Sequence, residues 1–295
     1  MQQIAAALDY ADVLQEYPAI IGFLSEKFII NIERLKSIWR KENILLKLQC
    51  DDGCYVFKKI NDKGKETETH RVKLLKQEYP HLLPKTYCFE KNAYLMKYIE
   101  GKGFFELDED DKVDKMNLAG RIIAEAYSCR SAQEQDISIQ IQGSFEKYRK
   151  KSERFFKKDE LTSYDFKLFK SVPDIPSHGD LNAANLLYDE SIKMIDPSDE
   201  GYNDIARDIG RYCASCFFNN YDRFGNNKRH SVEIAEAFLC NFNDEILERA
   251  RYYIGESFMS FLNFQTISVP KTALKNLAVR MLRNKNIMEN LKEGL

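Results

Sequence analysis

The chain has 295 residues, of which 44% are hydrophobic and 31% are charged, a composition typical of globular proteins and not of disordered chains. Lysine and arginine number 44 against 46 aspartates and glutamates, a formal net charge of −2, which argues against a nucleic-acid-binding protein because such proteins usually carry a basic excess. No apolar run approaches the roughly 18 residues of a membrane-spanning helix, and the first residues lack the features of a signal peptide. We therefore expect a cytoplasmic protein with no membrane or nucleic-acid partner.

The first hundred residues alternate between helical and strand-like patterns. Apolar residues recur at helical spacing over residues 3–28, with an interruption at Pro18. Two strand candidates then flank a turn at 51–53, in which Asp52-Gly53 is a strong hairpin signal. One helix and a second pair of strands complete this part. In order, the predicted strands are 44–50, 54–60, 86–90 and 93–99, and the helix is 66–77.

Helical patterns dominate after a break marked by Gly101 and Gly103. The predicted helices are 113–128, 141–156 and 163–170, followed by helical sequence from residue 205 onwards. A short strand-like hairpin over 177–199 interrupts them. Because strands and helices are segregated, the sequence predicts an α+β protein with two lobes. We place the first lobe at 1–98 and the helical lobe at 99–295.

The cysteines include one pair with close spacing, Cys213-x-x-Cys216, in an apolar helical stretch. A zinc site needs two further soft ligands, yet the chain has four histidines and no second such pair. We therefore interpret Cys213 and Cys216 as core residues.

The residues with the clearest chemical pattern lie in the segment from His178 to Asp196. Asp180 is followed five positions later by Asn185, at the start of an apolar strand. This spacing suits phosphoryl transfer, because an aspartate can accept the proton of an attacking hydroxyl while an asparagine oxygen coordinates Mg²⁺ on the nucleotide. A second strand ends at Asp196, whose carboxylate is a further hard oxygen ligand of the kind that Mg²⁺ takes beside a polyphosphate. The sequence thus predicts Asp180 as catalytic base, Asn185 and Asp196 as metal ligands, and a nucleotide with Mg²⁺ as cofactors.

The motif from His178 to Asn185, followed by Ile195-Asp196, resembles the aminoglycoside phosphotransferase and choline kinase-type small-molecule kinases, which are relatives of the protein kinases. The segment 201–209 is also similar to that family. The resemblance implies a carboxylate at the start of the next helix that supports the catalytic loop through its backbone. We assign this role to Asp208, with Asp204 as the alternative. His178 is interpreted as a structural residue of the loop.

The resemblance extends to the strand that ends at Lys58. Tyr55-Val56-Phe57-Lys58 looks like the third strand of the family's small lobe, whose lysine pairs with the α- and β-phosphates. We prefer Lys58 to Lys59, which would face the other side of the sheet, because an apolar triplet leads directly into Lys58. The helix glutamate that pairs with this lysine is assigned to Glu68, with Glu66 as the alternative.

The segment from Tyr94 to Gly101 resembles the one that joins the two lobes in this family. By that likeness the backbone of Lys97 and Ile99 would bond to the adenine, and Met96 would line its pocket. The resemblance covers roughly residues 30–215. One departure lies in the turn expected to cover the phosphates, at 36–43, which contains no glycine, although glycine-rich loops let backbone N–H groups approach phosphates.

The resemblance implies a protein-kinase-like bilobal fold with a small antiparallel sheet lobe, one important helix and a large helical lobe. It implies an ATP-dependent phosphotransferase that moves the γ-phosphate to a hydroxyl of a small molecule such as an aminoglycoside, an amino alcohol or a sugar. A small acceptor is favoured because no long activation segment or peptide platform follows Asp196. A kinase that acts on proteins and a non-catalytic nucleotide-binding scaffold remain the alternatives. The sequence predicts no oligomeric state.

Overall fold

The protein folds into two compact units. The computed structural model describes residues 12–35, 43–60, 66–90, 92–128, 132–157, 160–161, 164–198, 203–223, 228–264, 269–284 and 286–294. The described residues of Met1–Gly101 and Lys193–Asp199 form the first unit, and those of Lys102–Ile192 and Glu200–Leu295 form the second. Residues 3–11 of the predicted helical segment 3–28 and residues 36–42 of the glycine-free turn at 36–43 lie outside the described residues.

The first unit is built on a five-stranded antiparallel sheet with the strand order β1-β2-β3-β5-β4. Its elements are α1 (Pro18–Ser25), β1 (Ile29–Arg34), β2 (Ile44–Cys50), β3 (Gly53–Lys59), α2 (Glu66–Glu78), β4 (Thr86–Phe89) and β5 (Ala93–Lys97). Strands β2 and β3 form the predicted hairpin, and Gly53 adopts a φ of 145° at its turn. Pro18 begins a helix because its fixed φ suits the first helical position.

The central strand β3 is buried on both faces. Tyr55 and Phe57 pack with Tyr17, Ile20 and other apolar residues of the segment before β1. Side chains alternate along a strand, so Val56 and Lys58 face the opposite side of the sheet, and both are buried. This second face is the side on which Glu68 of α2 meets Lys58.

The segment 193–199 belongs to the first unit and is attached to it by hydrogen bonds to backbone carbonyls. The Met194 N–H donates to the Leu82 carbonyl at 2.6 Å, and the Lys193 ammonium donates to the His81 carbonyl at 2.5 Å. These bonds attach the segment that carries Asp196 to the turn that follows α2.

The second unit is mainly helical. Its elements are β6 (Lys102–Gly103), α3 (Glu109–Ser128), β7 (Glu134–Gln135), α4 (Ser138–Ser152), β8 (Val172–Pro173), β9 (Leu186–Tyr188), β10 (Ile192–Met194, which leads into the first unit), α5 (Ile205–Arg223), α6 (Lys228–Leu239), α7 (Asp244–Phe261), α8 (Lys271–Arg283) and α9 (Ile287–Glu293). Short 3₁₀ helices lie at Phe104–Glu106, Glu153–Phe155 and Phe166–Phe169. The last of these stands where a longer helix at 163–170 is predicted.

The centre of the second unit is α7, which packs against α4, α5 and α8. It is buried at every position from Arg249 to Met259, as expected for a helix surrounded by others. Helix α5 approaches it closely at Gly210, where an added Cβ would lie 2.5 Å from the Ala250 carbonyl oxygen. This close crossing places the first turns of α5 directly against α7.

The α+β fold predicted from the segregated patterns is confirmed, with the sheet and its helices in one unit and most helices in the other. Among the described residues, no helix combines the length and the apolar character needed to cross a membrane.

Candidate active site

Lys58 is the central charged residue of the first unit. Its ammonium donates to Glu68 Oε1 at 2.6 Å and also to Asp196 Oδ1. The side chains of Lys58 and Glu68 are only 6% and 4% exposed, whereas that of Asp196 is 57% exposed. Tyr94, which is paired with Lys58 across β3 and β5, donates its hydroxyl to Glu68 at 3.1 Å. The structure therefore brings together three residues that the sequence analysis assigned to the nucleotide site.

The pKa of Lys58 is set by two opposing effects. Burial disfavours the charged ammonium, but the neighbouring Tyr94, Asp196 and Glu68 outweigh burial, so the pKa of Lys58 lies above its usual range. Lys58 is consequently a permanent positive charge at neutral pH.

The alternative lysine, Lys59, faces the other side of the sheet. It donates to Glu16 at 2.6 Å, and the Glu16 side chain is 57% exposed. The side chain of Glu66, the alternative to Glu68, lies outside the described residues. Of the two lysines, Lys58 is the one in contact with Glu68 and Asp196.

Asp196 adopts an uncommon backbone conformation. Its φ of 58° places it in the left-handed region, and among the described residues it is the only non-glycine residue with a positive φ. Such a conformation is unfavourable for most side chains and clusters at functional sites, although aspartate tolerates it better than most. The turn directs the Asp196 carboxylate to Lys58.

The predicted adenine-contact residues lie at the end of β5. Met96 and Ile99 are partly buried and Lys97 is exposed. The Lys97 N–H donates to the Lys85 carbonyl at 2.7 Å. The Lys97 amide is therefore already bonded to the residue that precedes β4.

The predicted catalytic loop lies in the second unit, between β8 and β9. The Asp180 carbonyl accepts hydrogen bonds from the amide groups of Asn182 at 3.1 Å and Asn185 at 2.8 Å. Gly179 has a φ of 82°, a conformation that favours glycine. The Asp180 side chain itself is 45% exposed, and its carboxylate is within reach of an incoming molecule.

Asp208, in the first turn of α5, contacts the backbone of this loop. Its carboxylate accepts the N–H of His178 and, at 2.8 Å, the N–H of Gly179. Tyr127 donates its hydroxyl to the same carboxylate at 3.2 Å. Asp208 and His178 are both fully buried. Asp208 thus satisfies two buried backbone donors that would otherwise be costly.

The alternative carboxylate, Asp204, has different partners. It accepts the N–H of Ala206 at the start of α5, the Tyr253 hydroxyl at 3.0 Å and the Arg249 guanidinium at 3.3 Å. Burial raises the pKa of Asp204, and the charge of Arg249 opposes that shift. These contacts of Asp204 connect the start of α5 with α7, whereas those of Asp208 connect α5 with the loop.

The cysteine pair in α5 is buried. Cys213 and Cys216 are at most 1% exposed, and burial raises the pKa of Cys213 to about 12. Among the described residues, no cluster of three or more histidine, cysteine, aspartate or glutamate side chains is arranged to hold a metal ion.

Sequence reasoning missed several residues that support the site. Tyr94 could have been found, because the strand register places it opposite Lys58. Tyr127, Arg211 and Glu256 carry no local sequence signal, since each reaches the site region from a separate helix. Arg211 lies 3.5 Å from the Asp180 carboxylate.

The donor set fits a magnesium nucleotide in its chemistry. Asn185 uses its amide nitrogen for the Asp180 carbonyl, so its side-chain oxygen is the atom that a metal would meet. Asp196 offers a half-exposed carboxylate next to a buried cation. Hard oxygen ligands in small number are what Mg²⁺ accepts beside phosphates. Asn185 and Asp196 lie in different units, and their joint binding of Mg²⁺ stays a prediction.

We expect Lys58→Met to destabilise the protein by about 3–5 kcal/mol, because it leaves the Glu68 carboxylate buried without its cation. The pKa of Lys58 is raised in the folded state. The stability that the Lys58 charge gives to the folded protein is therefore fully present below the pKa of lysine in the unfolded chain, about 10.4, and is lost as pH rises through the pKa of Lys58 in the folded protein. The difference from wild type in chemical denaturation should shrink above about pH 10. Lys59→Met, with an exposed partner, should cost about 0–1 kcal/mol; equal losses would contradict the assignment.

The conformation of Asp196 predicts a difference between two variants that both remove its carboxylate. Asp196→Gly should be more stable than Asp196→Ala by about 1 kcal/mol, because glycine adopts positive φ without the Cβ clash. The greater entropy of glycine in the unfolded chain offsets part of this gain, and the figure allows for it. The measurement is the free energy of unfolding of both variants under identical conditions. An alanine variant at least as stable as the glycine variant would show that this φ carries no strain.

Asp208→Ala should lower the free energy of unfolding by more than about 2 kcal/mol, because it orphans two buried N–H groups at about 1–3 kcal/mol each. Hydrogen exchange at His178 and Gly179 should accelerate. Tyr127→Phe is the control, because it removes one donor and leaves the carboxylate bonded to the loop; its expected cost is about 0.5–1.5 kcal/mol. Unchanged exchange at both amides in Asp208→Ala would refute the supporting role.

Comparisons with known proteins identify the fold. No protein-family model and no curated protein matches the sequence. Among solved structures, a protein assigned as a fructosamine-3-kinase from Thermobifida fusca is 11% identical with a TM-score of 0.55, and the match covers 91% of this chain and 98% of that one. The ternary complex of APH(2")-IIa with streptomycin and ATP is 14% identical with a TM-score of 0.51, over 83% of this chain and 89% of that one.

A third solved structure extends the likeness. The amicoumacin kinase hAmiN, in complex with AMP-PNP, Ca²⁺ and Ami, is 12% identical with a TM-score of 0.50, over 92% of this chain and 94% of that one. At such low identities the likeness establishes the fold and not the activity. The chain has the protein-kinase-like fold found in aminoglycoside phosphotransferases and related small-molecule kinases, as its motifs predict.

Proposed function

We propose that this protein is an ATP-dependent phosphotransferase that transfers the γ-phosphate to a hydroxyl group of a small molecule. The observation that carries the proposal is the ammonium of Lys58, buried and bonded to both Glu68 and Asp196. A cation held between a helix glutamate and a metal-binding aspartate is the arrangement by which kinases bind nucleotide phosphates.

The first unit contributes the nucleotide side of the proposed reaction. Lys58 keeps its positive charge at neutral pH and faces the polyphosphate, while Glu68 and Tyr94 hold Lys58 in place. Asp196 and, from the second unit, Asn185 are the proposed ligands of Mg²⁺, which when bound neutralises charge on the phosphates. The backbone of Lys97 and Ile99 provides the proposed adenine contacts, and Met96 lines the proposed pocket.

The second unit contributes the acceptor side. The Asp180 carboxylate is half-exposed on a loop whose backbone is held by Asp208 and Asn185. In the proposed reaction Asp180 accepts or orients the proton of the acceptor hydroxyl, and the bond from that oxygen to the γ-phosphorus forms as the bond to the ADP oxygen breaks. A loop held in this way keeps the carboxylate in one place, and positioning is the main part of phosphoryl-transfer catalysis.

The choice of ATP and of a small acceptor is supported by the proteins that share the fold. The APH(2")-IIa structure is a ternary complex with ATP and streptomycin, and that of hAmiN is a complex with AMP-PNP, Ca²⁺ and Ami. On the sequence side, no extended peptide-binding segment follows Asp196. The acceptor proposed for this chain is therefore a small hydroxyl compound, and its class is open to the panel assay below.

The test is ADP release from Mg-ATP in the presence of aminoglycosides, amino alcohols, sugars and a generic protein substrate. We expect release with one small-molecule class. Asp180→Asn should lower turnover by about 10²–10⁴-fold with nucleotide affinity nearly unchanged, because asparagine keeps the shape but cannot accept the proton. Asp196→Ala should abolish turnover and weaken Mg-dependent nucleotide binding. Asp189→Asn, in the exposed hairpin turn after β9, is the matched control and should behave as wild type.

The outcomes separate the alternatives. Phosphate transfer to protein would favour a protein kinase. Tight Mg-ATP binding without ADP release across the whole panel would favour a nucleotide-binding scaffold. An Asp180→Asn variant as active as wild type on an identified acceptor would refute the role of Asp180 while leaving the kinase activity established.

A further inference from the structure

Arg211 lies beside the proposed catalytic base. It belongs to α5, one turn after Asp208, and its side chain is 14% exposed. Its Nη1 donates to the Gly179 carbonyl at 3.2 Å and lies 3.5 Å from Asp180 Oδ1. The guanidinium therefore contacts both the backbone before Asp180 and the carboxylate of Asp180 itself.

The other end of this guanidinium faces a second carboxylate. Arg211 Nη2 lies 4.0 Å from Glu256 Oε2. Glu256 belongs to α7 and its side chain is 2% exposed. It also accepts hydrogen bonds from the hydroxyls of Ser144 at 2.6 Å and Tyr252 at 3.3 Å. A carboxylate this deeply buried needs compensating partners, and Arg211 supplies the opposite charge.

We propose that Arg211 is a positioning residue that holds the Asp180 carboxylate in its working orientation, and that buried Glu256 anchors Arg211. The inference rests on the proposed phosphotransferase function and adds a residue pair to it. Ser144 comes from α4 and Glu256 from α7, so the anchor belongs to the packed core of the second unit and not to a mobile surface.

The contacts of the loop show what Arg211 adds. The bonds from Asp208, Asn182 and Asn185 are made to backbone groups of the loop and not to the Asp180 side chain. Arg211 contacts that side chain directly. Misplacement of a catalytic group by about 1 Å can cost about 10²-fold in rate, so a contact that fixes the carboxylate has a large effect on turnover.

Arginine suits this position for a geometric reason. Its planar guanidinium carries several donors in a rigid fork and can face two carboxylates from opposite ends, whereas a lysine ammonium is a compact charge on a flexible stem. The neutral variant Arg211→Met should therefore lose the effect, and Arg211→Lys should retain only the part that depends on charge.

The activity arm of the test uses ATP and the acceptor identified by the panel, or water as acceptor if ADP is released without one. Arg211→Met should lower kcat by about 10–100-fold with KM for ATP nearly unchanged, and Arg211→Lys should lie between it and wild type. Glu256→Gln should also lower kcat. The kcat of the double variant should be no lower than that of Arg211→Met alone, because both substitutions break the same connection from Glu256 through Arg211 to Asp180. Arg280→Met, which removes a surface pair with Glu293, is the matched control.

The second arm is hydrogen exchange of the segment 178–185, which needs no activity. Arg211→Met and Glu256→Gln should exchange faster there than wild type, because the guanidinium also donates to the Gly179 carbonyl. Arg211→Lys should lie between Arg211→Met and wild type, and Arg280→Met should match wild type. If no variant or wild type releases ADP, the phosphotransferase proposal fails, and this arm still decides whether Arg211 holds the loop. An exchange rate in Arg211→Met equal to that of wild type overturns the inference. It is also overturned if Arg211→Met keeps the wild-type kcat per folded molecule and only its midpoint of chemical unfolding falls.

Discussion

One buried ammonium group connects parts of the first unit that lie far apart in the sequence. Lys58 comes from a central strand, Glu68 from the helix beside it, and Asp196 from a segment 138 positions later. An ammonium removed from water must be matched by opposite charge, and here two carboxylates match it. This requirement sets which face of β3 meets α2 and where the Asp196 segment docks. The arrangement proposed for nucleotide binding follows from that single electrostatic constraint.

In the second unit, buried backbone N–H groups of the loop that carries Asp180 need hydrogen-bond acceptors. Buried Asp208 accepts two of them, and Arg211, anchored on buried Glu256, reaches the Asp180 carboxylate. In both units a cation that is itself paired with a buried glutamate contacts a half-exposed aspartate carboxylate. That carboxylate is Asp196 in one unit and Asp180 in the other. Support from the core restricts the motion of the groups that would meet a ligand, and such restriction is the part of catalysis that a protein scaffold can supply.

Some contacts of the candidate site could be predicted from sequence where the signal is local. The apolar triplet before Lys58 and the two-residue period of a strand favour Lys58 over Lys59, and it is Lys58 that contacts Glu68 and Asp196. Asp204 and Asp208 could not be separated in this way, because both lie near the start of the same helix. Their partners differ only through packing, since Asp204 meets Arg249 of α7 and Asp208 meets the loop.

The sequence by itself determined the α+β division, the β2–β3 hairpin and the spacing of the motif from His178 to Asn185, because hydrophobic period and turn residues act among near neighbours. Only the tertiary structure decided which charges meet. The contact of Arg211 with Glu256 depends on how closely α5 and α7 cross, and that distance is set by packing at Gly210. No short pattern encodes such a crossing, because it depends on the shapes of side chains that are distant in sequence and adjacent only after folding.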